Sequence, residues 1–120
     1  MGKHRVNPDG SPRLHSKISV DENVIGSGKV RLLSLIKEHG SLNAAAKAMD
    51  INYRRAWMLL ETLQKCFAEP LVITERGGSA QGGTVLTPLG EELIKRHAEH
   101  AQALDKAAVP FIDWVVANKS

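Results

Sequence analysis

The chain has 120 residues, of which 42% are hydrophobic, 24% charged and only 4% aromatic, with a formal net charge of +3. That length supports one domain with a modest core and is too short for two. Cys66 is the only cysteine, which excludes an intrachain disulfide and fits a reduced cytoplasmic setting.

No apolar run approaches the roughly 18 residues that a membrane span needs, and the start does not read as a secretory signal. Charge is unevenly placed. Residues 26–67 hold seven positive and three negative side chains, whereas residues 88–120 hold four positive and five negative. Positive charge therefore gathers in the middle of the chain, as a phosphate-facing surface requires. The histidines (His4, His15, His39, His97 and His100) are scattered, so no metal site is expected.

Residues 1–25 read as an N-terminal arm or edge strand, with a turn at Asn7-Pro8-Asp9-Gly10 and a short strand within residues 13–20. Lys3, Arg5, Arg13 and Lys17 could brush DNA, although a solvated tail is the plainer reading. The first helix is expected over Lys29–His39, with Gly40 as its left-handed stop. Leu32, Leu33, Leu35 and Ile36 cover nearly half its circumference, wider than one contact needs. Two contacting surfaces are expected, one inside the domain and one a partner helix.

The stretch from Ser41 to Phe67 carries the strongest pattern. An alanine-rich segment, Asn43-Ala-Ala-Ala-Lys-Ala-Met49, is followed by the polar break Asp50-Ile-Asn52. A longer segment then starts at Tyr53-Arg-Arg-Ala-Trp57. This is a helix-turn-helix pattern, with Ser41 and Asn52 as N-caps. At about 100° per residue, Ala56, Leu60, Leu63 and Phe67 share one face with Tyr53 at its margin. Arg54, Arg55, Met58, Thr62 and Lys65 fall opposite. Arginine can bond guanine bidentately or reach phosphate, and Met58 can meet a thymine methyl, so this face suits a major groove. The plainer alternative is an ordinary solvated face of a small helical bundle.

After Phe67 the pattern becomes extended. Leu71–Thr74 and Thr84–Thr87 read as strands joined by Glu75-Arg-Gly-Gly-Ser-Ala-Gln-Gly-Gly83. A strand, a glycine-rich loop and a strand directly after a recognition helix form a wing. Arg76 and Gln81 are its tip residues best suited to phosphate or the minor groove. The glycines lack the spacing and the Lys-Ser/Thr of a phosphate loop. Thr87-Pro88 then opens the last helix, with Glu91 and Glu92 in its first turn. Leu93, His97, His100, Leu104, Ala107, Phe111 and Trp114 recur at steps of four and three, a heptad-like seam that suits a second copy, with packing onto its own domain as the alternative. Pro110 is expected to bend or split this helix near Val109.

With these residues placed, Ile25–Arg96 resembles the winged-helix domain of the molybdate-responsive ModE transcription regulators. The resemblance rests on Gly28-Lys-Val-Arg-Leu-Leu33, Gly40-Ser-Leu-Asn-Ala-Ala-Ala-Lys-Ala-Met49 and Asn52-Tyr-Arg-Arg-Ala-Trp57. It extends through Pro70-Leu-Val72, Gly77-Gly78, Gly82-Gly83 and Leu86-Thr-Pro-Leu-Gly90. It implies a mainly α (α+β) winged helix-turn-helix with a two-stranded wing and a long C-terminal dimerisation helix. The segments are then an arm (1–25), the DNA-binding domain (26–87) and the dimerisation helix (88–120). The candidate DNA-contacting set is Ser41, Asn43, Asn52, Tyr53, Arg54, Arg55, Met58, Arg76 and Gln81. The candidate dimer set is Leu32, Leu35, Leu93, His97, His100, Leu104, Phe111 and Trp114.

Full-length regulators of this kind continue into oxyanion-binding domains, and the present residues show no comparable donor pattern. The expectation is therefore a short form with no cofactor and no molybdate site, acting as a homodimer on double-stranded DNA. A winged helix that binds a partner protein is the alternative. An enzyme is not expected, since there is no nucleophile motif, metal cluster or paired carboxylates.

Overall fold

The computed structural model describes Pro12 and residues 14–75 and 83–120. The chain divides into two compact units, the larger spanning Lys17–His97. It begins with a hairpin, β1 (Lys17–Val20) and β2 (Asn23–Gly26), in which Ile18 pairs with Ile25 and Val20 with Asn23. The turn is tight because Asp21 adopts φ 55°, a conformation that a short polar side chain tolerates. The sequence pattern anticipates a strand here but not its hairpin partner. Asn23–Gly26 carries too few apolar residues to announce a strand by alternation.

Helix α1 (Ser27–His39) starts two residues earlier than expected. It stops at Gly40, whose φ of 82° lets its N–H return to the Ile36 carbonyl at 2.8 Å. Helices α2 (Leu42–Ala48) and α3 (Tyr53–Gln64) follow, then β3 (Val72–Glu75) and β4 (Gly83–Leu86), which pair antiparallel. Helix α4 (Pro88–Asn118) closes the order, its residues up to His97 belonging to the larger unit. Within Lys17–His97 this is a winged helix-turn-helix, with the β3–β4 ladder as the base of the wing.

Two apolar clusters hold the unit together, and α1 feeds both. Leu32 and Ile36 pack with Leu42, Ala45, Ala46 and Ala56 of the helix-turn-helix. Leu33 packs with Leu63 and Leu71, joined by Leu86, Leu89, Leu93 and Ile94. The wide apolar arc of α1 therefore has its second surface within the chain, in the wing base and the start of α4, rather than in a partner helix. Leu32 is fully buried, so its expected place at a dimer interface is corrected: no side-chain surface remains for another chain. Fully burying such a leucine contributes on the order of 1.5–3 kcal/mol.

The wing base is tied in by polar bonds. Thr84 N–H donates to the Gly40 carbonyl at 2.9 Å, and Thr87 N–H to the Leu71 carbonyl at 3.0 Å. Thr87 Oγ1 donates to Pro70 O at 2.7 Å and accepts from Gly90 N–H at 3.1 Å, capping α4 as the Thr87-Pro88 pair predicts. Lys37 of α1 and Glu91 of α4 form an ion pair at 2.6 Å.

The second unit contains Ala98–Ser120. Helix α4 is continuous through Pro110, so of the expected bend or split near Val109 the split is corrected. Proline removes one N–H from the ladder, leaving the Lys106 carbonyl without its bond. Both residues are exposed, so water can satisfy that carbonyl while the remaining bonds carry the helix.

Candidate nucleic-acid interface

The helix-turn-helix is shaped by its caps. Ser41 Oγ accepts from Ala44 N–H at 3.0 Å and starts α2. Between the helices Asp50 sits at φ 59°, where aspartate can turn the chain without a glycine. Asn52 Oδ1 accepts from Arg55 N–H at 2.8 Å and starts α3. The cap also sets which residues enter the first turn of α3: Tyr53, Arg54 and Arg55.

Burial of Ala56 and Leu63, both fully enclosed, fixes the rotation of α3 about its own axis. Tyr53, Arg54, Arg55, Trp57 and Met58 then stand in solvent, with Tyr53 and Met58 each 53% exposed. The ion pairs of the described residues join Lys37 to Glu91, His39 to Glu38 and Arg96 to Glu92. None of them involves Arg54 or Arg55. Two unneutralised guanidinium groups beside a thioether, on the first two turns of an exposed helix, can meet phosphates and base edges.

A cavity of about 370 Å³ opens beside this face, lined by Lys29, Asn52, Arg54, Arg55, Met58, Leu59 and Thr62. Four of the candidate residues are thus brought together there. Ser41 is half-buried and Asn43 exposed, both at the start of α2. Arg76 and Gln81 lie outside the described residues. Reading the sequence left out two neighbours of this surface. Trp57 is 47% exposed one turn after Tyr53, and Lys29 reaches the cavity from α1. Helical spacing from Tyr53 could have flagged the first, but no local signal points to the second.

The candidate dimer residues separate into two groups. Leu35 and Leu93 are partly buried against the clusters of their own domain. In the smaller unit Leu104 is half-buried and His100 exposed. Phe111 and Trp114 are 68% and 62% exposed, and their rings stack with centroids 6.1 Å apart.

The described residues thus form a winged helix-turn-helix with an exposed cationic face on α3. No protein-family model matches the chain. Among curated proteins it is 34% identical to the molybdenum transport protein ModE of Azotobacter vinelandii, over 78% of this chain and 37% of that one. It is 39% identical to the transcriptional regulator ModE of Haemophilus influenzae, over 75% and 38%. It is 34% identical to the DNA-binding transcriptional dual regulator ModE of Escherichia coli K12, over 79% and 34%. Over the matched residues the chain is ModE-like. It spans under two-fifths of the length of these relatives, which are named as regulators or a transport protein rather than as enzymes. A solved structure of a Corynebacterium glutamicum OxyR mutant aligns with 78% of this chain and 27% of its own, at TM-score 0.49 and 22% identity.

Proposed function

We propose that this chain is a sequence-specific DNA-binding transcriptional regulator, with α3 entering the major groove and the wing resting on the backbone or minor groove. One observation carries the reading. The capped helix-turn-helix holds Tyr53, Arg54, Arg55 and Met58 in solvent at the start of α3, and neither guanidinium forms an ion pair among the described residues. Charged groups left without partners on one face are matched by a polyanion. The names of the relatives support the same class, two being transcriptional regulators and one explicitly DNA-binding.

Ser41, Asn43 and Asn52 would add contacts from the starts of α2 and α3, and Arg76 and Gln81 from the wing. The DNA-binding part would lie in residues 26–87, and residues 88–120 would pair two copies. Exposed Phe111 and Trp114 support that pairing, since a stacked aromatic pair in water is an unfinished apolar contact. The setting would be cytoplasmic, where the DNA is. Among the described residues no helix is long and apolar enough to cross a membrane.

Selection of bound fragments from genomic DNA tests the reading. Recovery of a shared, two-fold symmetric sequence is expected, with affinity that falls steeply as salt rises. Uniform recovery of all sequences, or salt-insensitive association with protein alone, would point instead to a partner-protein surface.

A further inference from the structure

The cavity beside α3 contains a cation that the recognition helix does not supply. Lys29, the third residue of α1, lines it together with Arg54 and Arg55. Its Nζ donates to the Val24 carbonyl of β2 at 2.8 Å, which positions the ammonium instead of letting it wander. An ammonium has three protons, so two remain for another acceptor. The first turn of α1 has no acidic residue, and no acidic residue lines the cavity. Asn52 adds a side-chain amide, since its cap uses only Oδ1.

Three cations from two helices therefore share one notch with no counter-charge among the described residues. Like charges at such range repel, and a bound anion reverses the sign of that interaction. The occupant is constrained by place as well as charge. A duplex that receives α3 in its major groove runs its sugar–phosphate strands along the flanks of that helix, with a phosphate every 3.4 Å of rise per strand.

We propose that Lys29 is a phosphate anchor on α1, binding a backbone phosphate of the duplex that α3 enters. The inference rests on the DNA-binding reading and extends the contact surface to the start of α1. It assigns Lys29 affinity and register but no base preference, because a phosphate carries no sequence information.

The test compares the wild type with Lys29→Met and Lys29→Arg on selected and random duplexes over a salt series. Lys29→Met should weaken both duplexes by the same factor and make the slope of log affinity against log salt shallower by about 0.9. Lys29→Arg should restore the slope. A purely structural role for the bond to Val24 would lower the melting temperature and leave the slope unchanged. In the wild type itself, amine acetylation read by mass spectrometry should show Lys29 protected by duplex while Lys119 stays reactive, whatever the fate of the variants.

An unchanged slope with Lys29 unprotected overturns this inference alone. Failure of the wild type to bind any duplex overturns both readings. Protection by millimolar inorganic phosphate without DNA would make the notch a small-anion site and also overturn the assignment.

Discussion

Arg55 uses its backbone and side chain for separate purposes. Its N–H completes the Asn52 cap, while its guanidinium stands in solvent beside Arg54. Arg55→Ala should therefore leave the helical content intact and weaken specific DNA binding by about 1–3 kcal/mol. Titration of the selected operator, with circular dichroism on the same sample, checks both halves. Unchanged operator affinity would remove Arg55 from the groove. Asn52→Ala acts differently, since it deletes the acceptor that starts α3. About 1 kcal/mol of stability should be lost, seen as a lower melting temperature, with any loss of binding following from a frayed first turn.

At the scale of elements, the join between the wing base and α4 is tightly constrained at Gly90. A Cβ at Gly90 would collide with the Leu71 carbonyl and crowd the Leu86 side chain. That close approach is what lets Leu71 bond Thr87 while Leu89 and Leu93 reach the Leu33–Leu63 cluster. Gly90→Ala should cost about 1–3 kcal/mol of stability, measurable by denaturant titration, because the carbonyl is held backbone and cannot swing aside. An equally stable variant would show that α4 can slide on the wing base. The wing loop makes a different prediction, resting on its sequence alone. Arg76→Ala should lower affinity for all duplexes alike and flatten the salt slope by about one unit. A loss confined to one base position would instead make Arg76 a base reader.

For the whole molecule the proposal under test is that two copies pair. The structure moves the argument away from α1, whose Leu32 is enclosed, and toward the end of α4. Phe111→Asp replaces a 68% exposed ring by a charge, so the monomer fold should be unaffected while a paired seam is broken. Sedimentation at micromolar concentration should show a wild-type dimer and a variant monomer, with operator affinity falling as each monomer keeps one half-site. A monomeric wild type, or a variant that stays dimeric, would rule out this seam.

Much of the architecture was legible because it rests on short-range rules. Ser41 and Asn52 as caps, Gly40 as a stop, Thr87-Pro88 as a start and the 3.6-residue rhythm of α3 each act within a turn or two of chain, so the residues alone determine them. The exposed cationic face of α3 follows from the same rhythm. What only the tertiary structure decided depends on contacts between residues far apart in sequence. The wide apolar stripe of α1 did not say whether its second side meets a partner or the chain's own wing and α4. Packing with Leu63, Leu71 and Leu93 answered that. Pro110 read locally as a bend or a split, but it does not split the helix, since one missing bond at an exposed site is outweighed by the rest. Lys29 read as one residue in the first turn of an ordinary helix. It comes to line the notch beside Arg54 and Arg55 only because β2 and α3 fold against α1, an arrangement no periodicity in the chain encodes.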